Sequence, residues 1–357
     1  MGDIYTTEQA AKFLGVSQAR IRQFILENRL PAQKNGRDHL IEFKDLASFA
    51  SGGRKKTGRP SKKTCAYVIN SYTGVMNDAV LDADAIRVEN GTIHHGDVLQ
   101  VLEEYPDGKF QLIVADPPYF QVLLDHPWDN VWKDEEEYLD WTLRWVKACK
   151  RVLRPDGLLY IFGQLGKREH VWLHTCSRLA LEMQFHDMII WDRAVGYNER
   201  YDSFTPQYEM ILVLRQSAEQ KPLFDKDAVR LPYDPETIQT YLRDKRYKDR
   251  EARAAHLNKG KYATNILRVP SLKGSSNEKV GHPSQKPVAL IEALVKSSSA
   301  AGQWVLDPFL GSGTTAVVCE QLKRPWVGIE AKDEYVAMSE ARIRRLAGKR
   351  EPEFSFG

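Results

Sequence analysis

An apolar run is followed directly by an acid and two prolines in the stretch Phe110-Gln111-Leu112-Ile113-Val114-Ala115-Asp116-Pro117-Pro118-Tyr119. The apolar run predicts a short buried strand, and Asp116 stands where that strand should end. Two prolines follow, which neither continue a sheet ladder nor readily start a helix, so the chain should leave the strand stiff and extended. In open α/β sheets, ligands bind at the carboxyl ends of the strands. We therefore predict a binding site at Asp116.

This site has the chemistry to hold a planar ring that carries an amino group. The amino hydrogens can be donated to the Asp116 carboxylate and the Pro117 carbonyl, while the face of the ring stacks on Tyr119. The alternative is an ordinary turn from strand to loop with an exposed acid.

The composition is that of a globular protein of two or three domains. The chain has 357 residues, of which 42% are hydrophobic and 28% charged. No apolar stretch is long enough to span a bilayer and no signal peptide is seen at the N-terminus, so we expect a cytoplasmic location. The four cysteines are scattered without paired ligand spacing, which argues against a disulfide framework and against a metal site. The net charge of +3 does not by itself imply nucleic acid.

Residues 1–50 are predicted to form a separate unit. The pattern predicts, in chain order, a helix over residues 8–14 capped by Thr6 or Thr7, a turn, a helix over residues 19–28, a small wing over residues 30–43 and a closing helix over residues 44–50. Arg20 and Arg22 lie on the outer face of the second helix. The unit resembles the winged helix-turn-helix of excisionase and MerR-type proteins, in which the second helix enters the major groove of DNA. The alternative is a small packing or oligomerisation module.

Residues 51–64 are Gly-rich and basic, without an apolar residue to bury, so we predict a linker. Its Gly58-Arg59-Pro60 core resembles an AT-hook, whose arginine lies in a narrow A·T minor groove. A solvated basic linker that adds phosphate affinity is the alternative. No structure is predicted for residues 65–90.

Strands and helices alternate along the rest of the chain, which predicts a doubly wound α/β sheet. The predicted strands cover residues 92–97, 110–115, 158–162, 188–191, 208–214, 305–307 and 326–330. Between them, residues 216–281 are basic, interleaved with tyrosine and weak in apolar periodicity. This segment is predicted to face nucleic acid, the alternative being a solvated surface helix.

A glycine turn follows the strand at residues 305–307, in Asp307-Pro308-Phe309-Leu310-Gly311-Ser312-Gly313-Thr314. Its glycines allow close backbone approach, and the amides at the start of the next helix favour a polar ligand. No Gly-Lys-Ser/Thr follows, so this is not a nucleotide P-loop. Glu330 ends the next strand at the distance at which an acid meets ribose hydroxyls, and Asp97 ends another strand. Together they predict an adenosine-bearing ligand with a non-phosphate tail.

Taken together, the chain resembles the DNA methyltransferases that modify exocyclic amino groups, in their β-type motif order. In that family the target-base motif precedes the cofactor loop, and the target-recognition region lies between them. The match covers residues 90–347, with residues 216–281 as the recognition region. It implies a Rossmann-like methyltransferase sheet, S-adenosylmethionine as cofactor, double-stranded DNA as partner, a bacterial or phage origin and, since members are often dimers, a homodimer.

The resemblance also implies roles for individual residues. The target base would be bound by Asp116, Pro117, Pro118 and Tyr119. The cofactor would be bound by Asp97, His282, Lys286, Pro287, Asp307, Phe309, Gly311, Gly313, Thr314 and Glu330. DNA would be contacted by Arg20, Arg22, Arg59, Lys245, Arg246, Lys248, Lys259 and Lys261.

The chemistry needs neither a metal nor a covalent nucleophile, because the methyl group of a sulfonium is already activated. Hydrogen bonds to Asp116 and the Pro117 carbonyl would aim the lone pair of the target nitrogen at the methyl group, so positioning supplies much of the rate. Aspartate as the first residue of the tetrapeptide favours adenine-N6 over cytosine-N4 methylation. A DNA-binding regulator with a degenerate methylase body, and methylation of RNA or of protein glutamine, are the remaining alternatives.

Overall fold

The computed structural model describes residues 4–14, 21, 24–25, 30–35, 38–42, 44, 85–122, 129–165, 169–197, 199, 201–244, 246 and 248–347. The chain divides into two compact units, Met1–Met76 and Asn77–Gly357.

The N-terminal unit contains a three-stranded antiparallel sheet beside a helix. The elements are β1 (Ile4–Thr6), α1 (Thr7–Leu14), β2 (Gln33–Asn35) and β3 (Asp38–Glu42), and the strand order is β1-β3-β2. Thr6 caps α1 as predicted: its Oγ1 accepts from the Gln9 amide at 3.3 Å, and Gln9 Oε1 accepts from the Thr6 amide at 2.9 Å. The buried core consists of Ala10, Ala11, Ile21, Phe24, Leu30 and Ile41.

The hairpin of β2 and β3 lies where the sequence predicts the wing, whereas β1 was not predicted. Most of the second and closing helices, and the whole basic linker, lie outside the described residues. Arg20, Arg22 and Arg59 lie outside them as well.

The larger unit alternates strands and helices along nearly its whole length. Its elements are, in chain order, β4 (Ala85–Val88), β5 (Gly91–His95), α2 (Val98–Glu103), β6 (Phe110–Ala115), α3 (Glu135–Val152), β7 (Leu153–Gly163), α4 (Glu169–Glu182), β8 (Gln184–Asp192), β9 (Tyr208–Arg215), α5 (Pro235–Arg243), α6 (Arg250–Asn258), β10 (Ile266–Arg268), α7 (Val288–Ser298), β11 (Val305–Asp307), α8 (Thr314–Gln321), β12 (Trp326–Glu330) and α9 (Asp333–Ala347).

The described strands of this unit form one mixed sheet in the order β10-β8-β9-β7-β6-β11-β12-β5-β4. Its centre is parallel, with β7, β6, β11, β12 and β5 side by side. β9 runs antiparallel between β7 and β8, and β4 is antiparallel at one edge. The register pairs Val305 with Leu112 and Leu306 with Ile113, so the ends of β6 and β11 reach the same edge of the sheet.

Helices cover both faces, as a doubly wound sheet requires. Apolar residues of α7, α8 and α9 pack on one face with Leu112 and Val114 of β6. Apolar residues of α2, α3 and α4 pack on the other face with Phe110 and Ile113 of the same strand. Because β6 is covered on both sides it is buried at every position and apolar at all but Gln111, whose side chain donates to the Asp156 carbonyl.

Two kinds of element were not predicted. The edge strands β4 and β10 have three or four residues each, too few to show a period. The helices α5 and α6 have nine residues each and bury no residue and one residue respectively, so neither packs an apolar stripe into the core. The predicted start of a helix at residue 282 was also too early, because α7 begins only after Pro287.

Among the described residues, none of the helices combines the length and apolar character that crossing a bilayer needs. Within the same residues, no cluster of three or more His, Cys, Asp or Glu side chains is arranged to hold a metal ion.

Candidate active site

The order in which the chain adds strands to the sheet reverses between the parallel strands β6 and β11, at the centre of the sheet. From β6 the chain continues through α3 to β7 on one side, and from β11 it continues through α8 to β12 on the other side. Since α3 and α8 cover opposite faces, a crevice opens between the carboxyl ends of these two strands. Asp116 and Asp307 stand at its rims.

A cavity of about 530 Å³ occupies this crevice. It is lined by both predicted loops, residues 116–119 and 307–312, and by strand ends from across the sheet. Of the predicted site residues, those that line it are Asp97, Asp116, Pro117, Pro118, Tyr119, His282, Lys286, Asp307, Phe309, Gly311, Thr314 and Glu330. The fold therefore brings the two predicted half-sites into one cavity.

The Asp116 carboxylate is the centre of a compact hydrogen-bonded cluster. Its Oδ1 accepts from Tyr119 Oη at 2.5 Å, and both of its oxygens accept from Lys286 Nζ at 2.8 Å. Lys286 Nζ also lies 3.1 Å from Tyr119 Oη. Burial, followed by the neighbouring Asp116 charge, raises the pKa of Tyr119 well above its usual value, so this phenol is a hydrogen-bond donor at neutral pH.

Asp129 shapes the loop that follows Asp116. This acid is 1% exposed, and its two carboxylate oxygens accept from the Tyr119 amide at 2.6 Å and the Val122 amide at 2.7 Å. Between those amides, Phe120 and Gln121 have φ of 60° and 58°, which side chains rarely adopt. A buried carboxylate that accepts two backbone donors holds this strained turn in place. No pattern in the sequence predicted this role for Asp129.

Lys286 lies on the Asp116 side of the cavity, which differs from the prediction that it binds the cofactor. Its ammonium is 6% exposed and lies 3.5 Å from Glu209 Oε2. Burial alone lowers the pKa of an ammonium, but the charges of Asp116 and Glu209 outweigh it and raise the pKa of Lys286. The lysine is therefore charged, and its predicted role in binding the cofactor stays a prediction.

Two further charged residues of this cluster were not predicted. Glu209 is the second residue of the mostly apolar strand β9, and its Oε1 lies 3.1 Å from Arg193 Nη1. Arg193 lies over the ring of Tyr197 at 4.2 Å. The signal for Glu209 was present in the sequence: a single acid in the apolar run Tyr208–Arg215 is out of place unless it faces a polar site.

The glycine turn is shaped by two residues in the left-handed region. Gly311 has φ of 50° and Gly313, at the start of α8, has φ of 74°. A Cβ on Gly313 would lie 2.9 Å from Ser339 Cβ, so only glycine fits both the conformation and the space. The Gly311 amide donates to Glu330 Oε2 at 2.8 Å, which ties the turn to the end of β12.

Arg342 of α9 supports this turn from behind. The guanidinium is 5% exposed, and Nη1 donates to the Ser312 carbonyl at 3.0 Å and to Thr314 Oγ1 at 2.9 Å. Thr314 Oγ1 in turn donates to the Lys286 carbonyl at 3.1 Å. The predicted cofactor residue Thr314 therefore also connects the glycine turn to the segment that carries Lys286, a contact that only the tertiary structure reveals.

Asp307 is the most perturbed acid of the site. Its carboxylate is 6% exposed, and its Oδ1 accepts from the Phe309 amide at 3.0 Å. Burial raises the pKa of Asp307 to about 7, with smaller contributions from the charges of Asp116 and Glu330. Burial also raises the pKa of Glu330.

The remaining predicted residues of this half of the cavity have structural partners. Phe309 packs edge-on against Trp145, with ring centroids 5.0 Å apart, and His282 packs edge-on against Tyr335 at 4.4 Å. Asp97 caps α2 by accepting from the Leu99 amide at 2.9 Å. Pro287 is the residue before α7.

The basic segment at residues 216–281 presents α5 and α6 to solvent. It contains 14 Lys or Arg against 9 Asp or Glu. Of the predicted DNA contacts, Lys248, Lys259 and Lys261 are exposed, and Lys245 lies outside the described residues. Arg246 is exposed but donates to Asp244 with a shortest distance of 2.7 Å, so contact with a phosphate has to compete with this pair.

Comparison with known proteins gives two family matches. The model of the N6/N4 DNA methylases matches residues 110–341, and a helix-turn-helix domain model matches residues 4–54. The DNA adenine methyltransferase YhdJ of Escherichia coli is 32% identical over 263 residues, which cover 72% of this chain and 83% of that protein. The type II methyltransferase M.HpaI of Haemophilus parainfluenzae is 29% identical over 245 residues, covering 69% and 71%.

A solved structure supports the fold. The cytosine-N4-specific PvuII DNA methyltransferase aligns with a TM-score of 0.53 and 21% identity, covering 74% of this chain and 88% of that one. The methylase model spans well over half of the chain, and the matched residues include both loops that line the cavity. This chain therefore belongs to the N6/N4 family of DNA methylases, whose methyl donor is S-adenosylmethionine.

Proposed function

We propose that this methylase transfers the methyl group to the N6 amino group of an adenine that has left the DNA duplex. The observation that carries the proposal is the single cavity in which the Asp116 cluster faces the glycine turn, because transfer requires base and donor to meet. The identity with an adenine methyltransferase, 32%, and aspartate as first residue of the tetrapeptide support adenine as the target.

The half of the cavity around the glycine turn fits S-adenosylmethionine. A Cβ on Gly311 would lie 3.1 Å from His282 Nε2, so the absence of a side chain keeps the space between the glycine turn and this histidine open. Glu330 at the rim suits ribose hydroxyls, and the backbone of residues 309–314 suits the methionyl carboxylate. When bound, this cofactor supplies an activated methyl group.

The Asp116 half of the cavity would orient the target amino group. Asp116 and the Pro117 carbonyl are acceptors for the two amino hydrogens, and accepting both favours a pyramidal nitrogen. Tyr119 offers a ring face on which the base stacks, which helps to offset the lost stacking in DNA. Asp129 keeps Tyr119 in place through its amide, so positioning is set before the base arrives.

The N-terminal unit and the basic segment would add affinity for DNA. We propose that the helix-turn-helix match at residues 4–54 contributes affinity or sequence selectivity to a methylase that is competent without it. The exposed lysines of residues 216–281 suit phosphate contacts, which predicts DNA binding that weakens with salt. The homodimer implied by the resemblance remains a prediction that light scattering can check.

The test is to identify the methylated nucleoside. Purified protein is incubated with labelled S-adenosylmethionine and unmethylated bacterial DNA, the DNA is digested, and the product is identified by mass spectrometry. We expect N6-methyladenine. N4-methylcytosine would overturn the target base but keep the site. Cofactor binding without a labelled nucleoside would overturn DNA as the substrate.

A further inference from the structure

The Asp116 carboxylate is already occupied in the structure. Lys286 Nζ donates to both of its oxygens, and Tyr119 Oη donates to Oδ1. A target amino group that donates to the same carboxylate meets these donors at the same oxygens. A carboxylate has about four acceptor positions, and three are taken here, which leaves one on Oδ2 beside the ammonium. Because two positively polarised donors repel each other at such short range, the amino group binds this carboxylate better when the ammonium yields.

Glu209 is the second acceptor within reach of that ammonium. Its Oε2 lies 3.5 Å from Lys286 Nζ, is shielded from solvent and accepts no hydrogen bond within the described part of the chain. Leaving a buried carboxylate oxygen without a hydrogen bond is unfavourable. A shift of less than about 1 Å in the ammonium would turn this contact into a charge-assisted hydrogen bond.

The surroundings keep Glu209 in place for this purpose. Arg193 Nη1 lies 3.1 Å from Glu209 Oε1, which leaves Oε2 on the side of Lys286. Three aromatic rings also surround the ammonium, with the centroids of Phe162, Tyr119 and Trp191 at 5.2, 5.3 and 5.9 Å. Arg193 is a nearby cation that disfavours the charge on Lys286. Without Glu209, an ammonium displaced from Asp116 would be a buried cation without an anionic partner.

We propose that Glu209 is a positioning residue that receives the Lys286 ammonium when the target amino group takes its place on Asp116. This inference rests on the proposed function. Before the base arrives, Lys286 holds the carboxylate of Asp116 in position; afterwards the ammonium pairs with Glu209, and Asp116 accepts from the base. Charge is conserved throughout, because one cation moves between two buried anions.

The proposal is tested by single-turnover transfer of labelled methyl groups from S-adenosylmethionine to unmethylated bacterial DNA, at saturating protein. Glu209→Gln keeps the size of the side chain but removes the anion, so Lys286 stays on Asp116 and transfer should slow about tenfold. Affinities for the cofactor and for DNA should stay unchanged, because DNA affinity comes mostly from phosphate contacts. In the double variant Glu209→Gln/Lys286→Met the ammonium no longer competes for Asp116 and only Tyr119 Oη still donates to it, so transfer should be faster than in Glu209→Gln alone.

Glu320→Gln is the matched control. Glu320 is 2% exposed, its carboxylate accepts from Asn90 and Trp326, and it does not line the cavity. Transfer at the wild-type rate in Glu209→Gln, or a double variant slower than Glu209→Gln, would overturn the proposal. Loss of cofactor affinity in Glu209→Gln but not in Glu320→Gln would also overturn it, in favour of a structural role. Wild-type protein that methylates no nucleoside would instead overturn the proposed function itself.

Discussion

Asp307→Asn should stabilise the larger unit, and only above mildly acidic pH. Burial raises the pKa of Asp307 from 3.8 to about 7 in the folded chain. Between these values the unfolded chain loses the proton while the folded chain keeps it. The contribution of Asp307 to the free energy of unfolding therefore falls as pH rises from about 4 to about 7 and is constant above. The full effect of this raised pKa is about 4 kcal/mol. Asparagine keeps the shape and the acceptor for the Phe309 amide but has no charge to bury.

The assay is urea unfolding followed by tryptophan fluorescence, which reports the larger unit alone because all eight tryptophans lie in it. The variant should exceed the wild type by only about 1 kcal/mol near pH 4.5 and by about 4 kcal/mol at pH 8. Asp140→Asn, at an exposed position of α3, is the control and should show no such divergence. A stability difference between Asp307→Asn and wild type that is the same at both pH values would refute the reasoning.

Three further outcomes follow from the same structure. Asp129→Ala leaves two buried amides without an acceptor and should lower the free energy of unfolding by about 3 kcal/mol, measured by the same urea titration; an unchanged midpoint would contradict the role of this acid. Gly108→Ala should lower the free energy of unfolding by about 1 kcal/mol, because φ is positive at this position. Gly313→Ala should lower it by more than twice as much, because φ is positive there too and the added Cβ would also lie within 4 Å of Ser339; equal losses would show that the contact is harmless. A chain without residues 1–76 should keep its cofactor affinity by calorimetry but bind DNA more weakly; loss of cofactor binding would contradict two independent units.

Local patterns were enough to predict the centre of the sheet. The strand over residues 110–115 is buried on both faces and therefore apolar at every position except Gln111, and α3 shows a clear helical period. The proline and glycine loops were visible because these residues restrict or release the backbone at fixed positions. The edge strands were missed because they are short and half exposed, so that pairing with a neighbour rather than periodicity defines them.

The charged residues of the site were harder to predict, since they meet only in the tertiary structure. Lys286 and Asp116 are 170 positions apart, and nothing in the local sequence places the ammonium on that carboxylate. Arg342 resembles any other arginine of an amphipathic helix until α9 packs behind the glycine turn. Glu209 was not predicted either, although an acid within an apolar strand is a local signal of a polar site.

The most direct test of the account is methyl transfer by Asp116→Asn. In the proposed function, Asp116 contacts the target amino group and the glycine turn binds the cofactor independently. Single-turnover transfer to unmethylated DNA should therefore fall at least about 100-fold, while the dissociation constants for S-adenosylmethionine and DNA stay close to those of the wild type. Transfer by Asp116→Asn at a rate near that of the wild type would contradict the account.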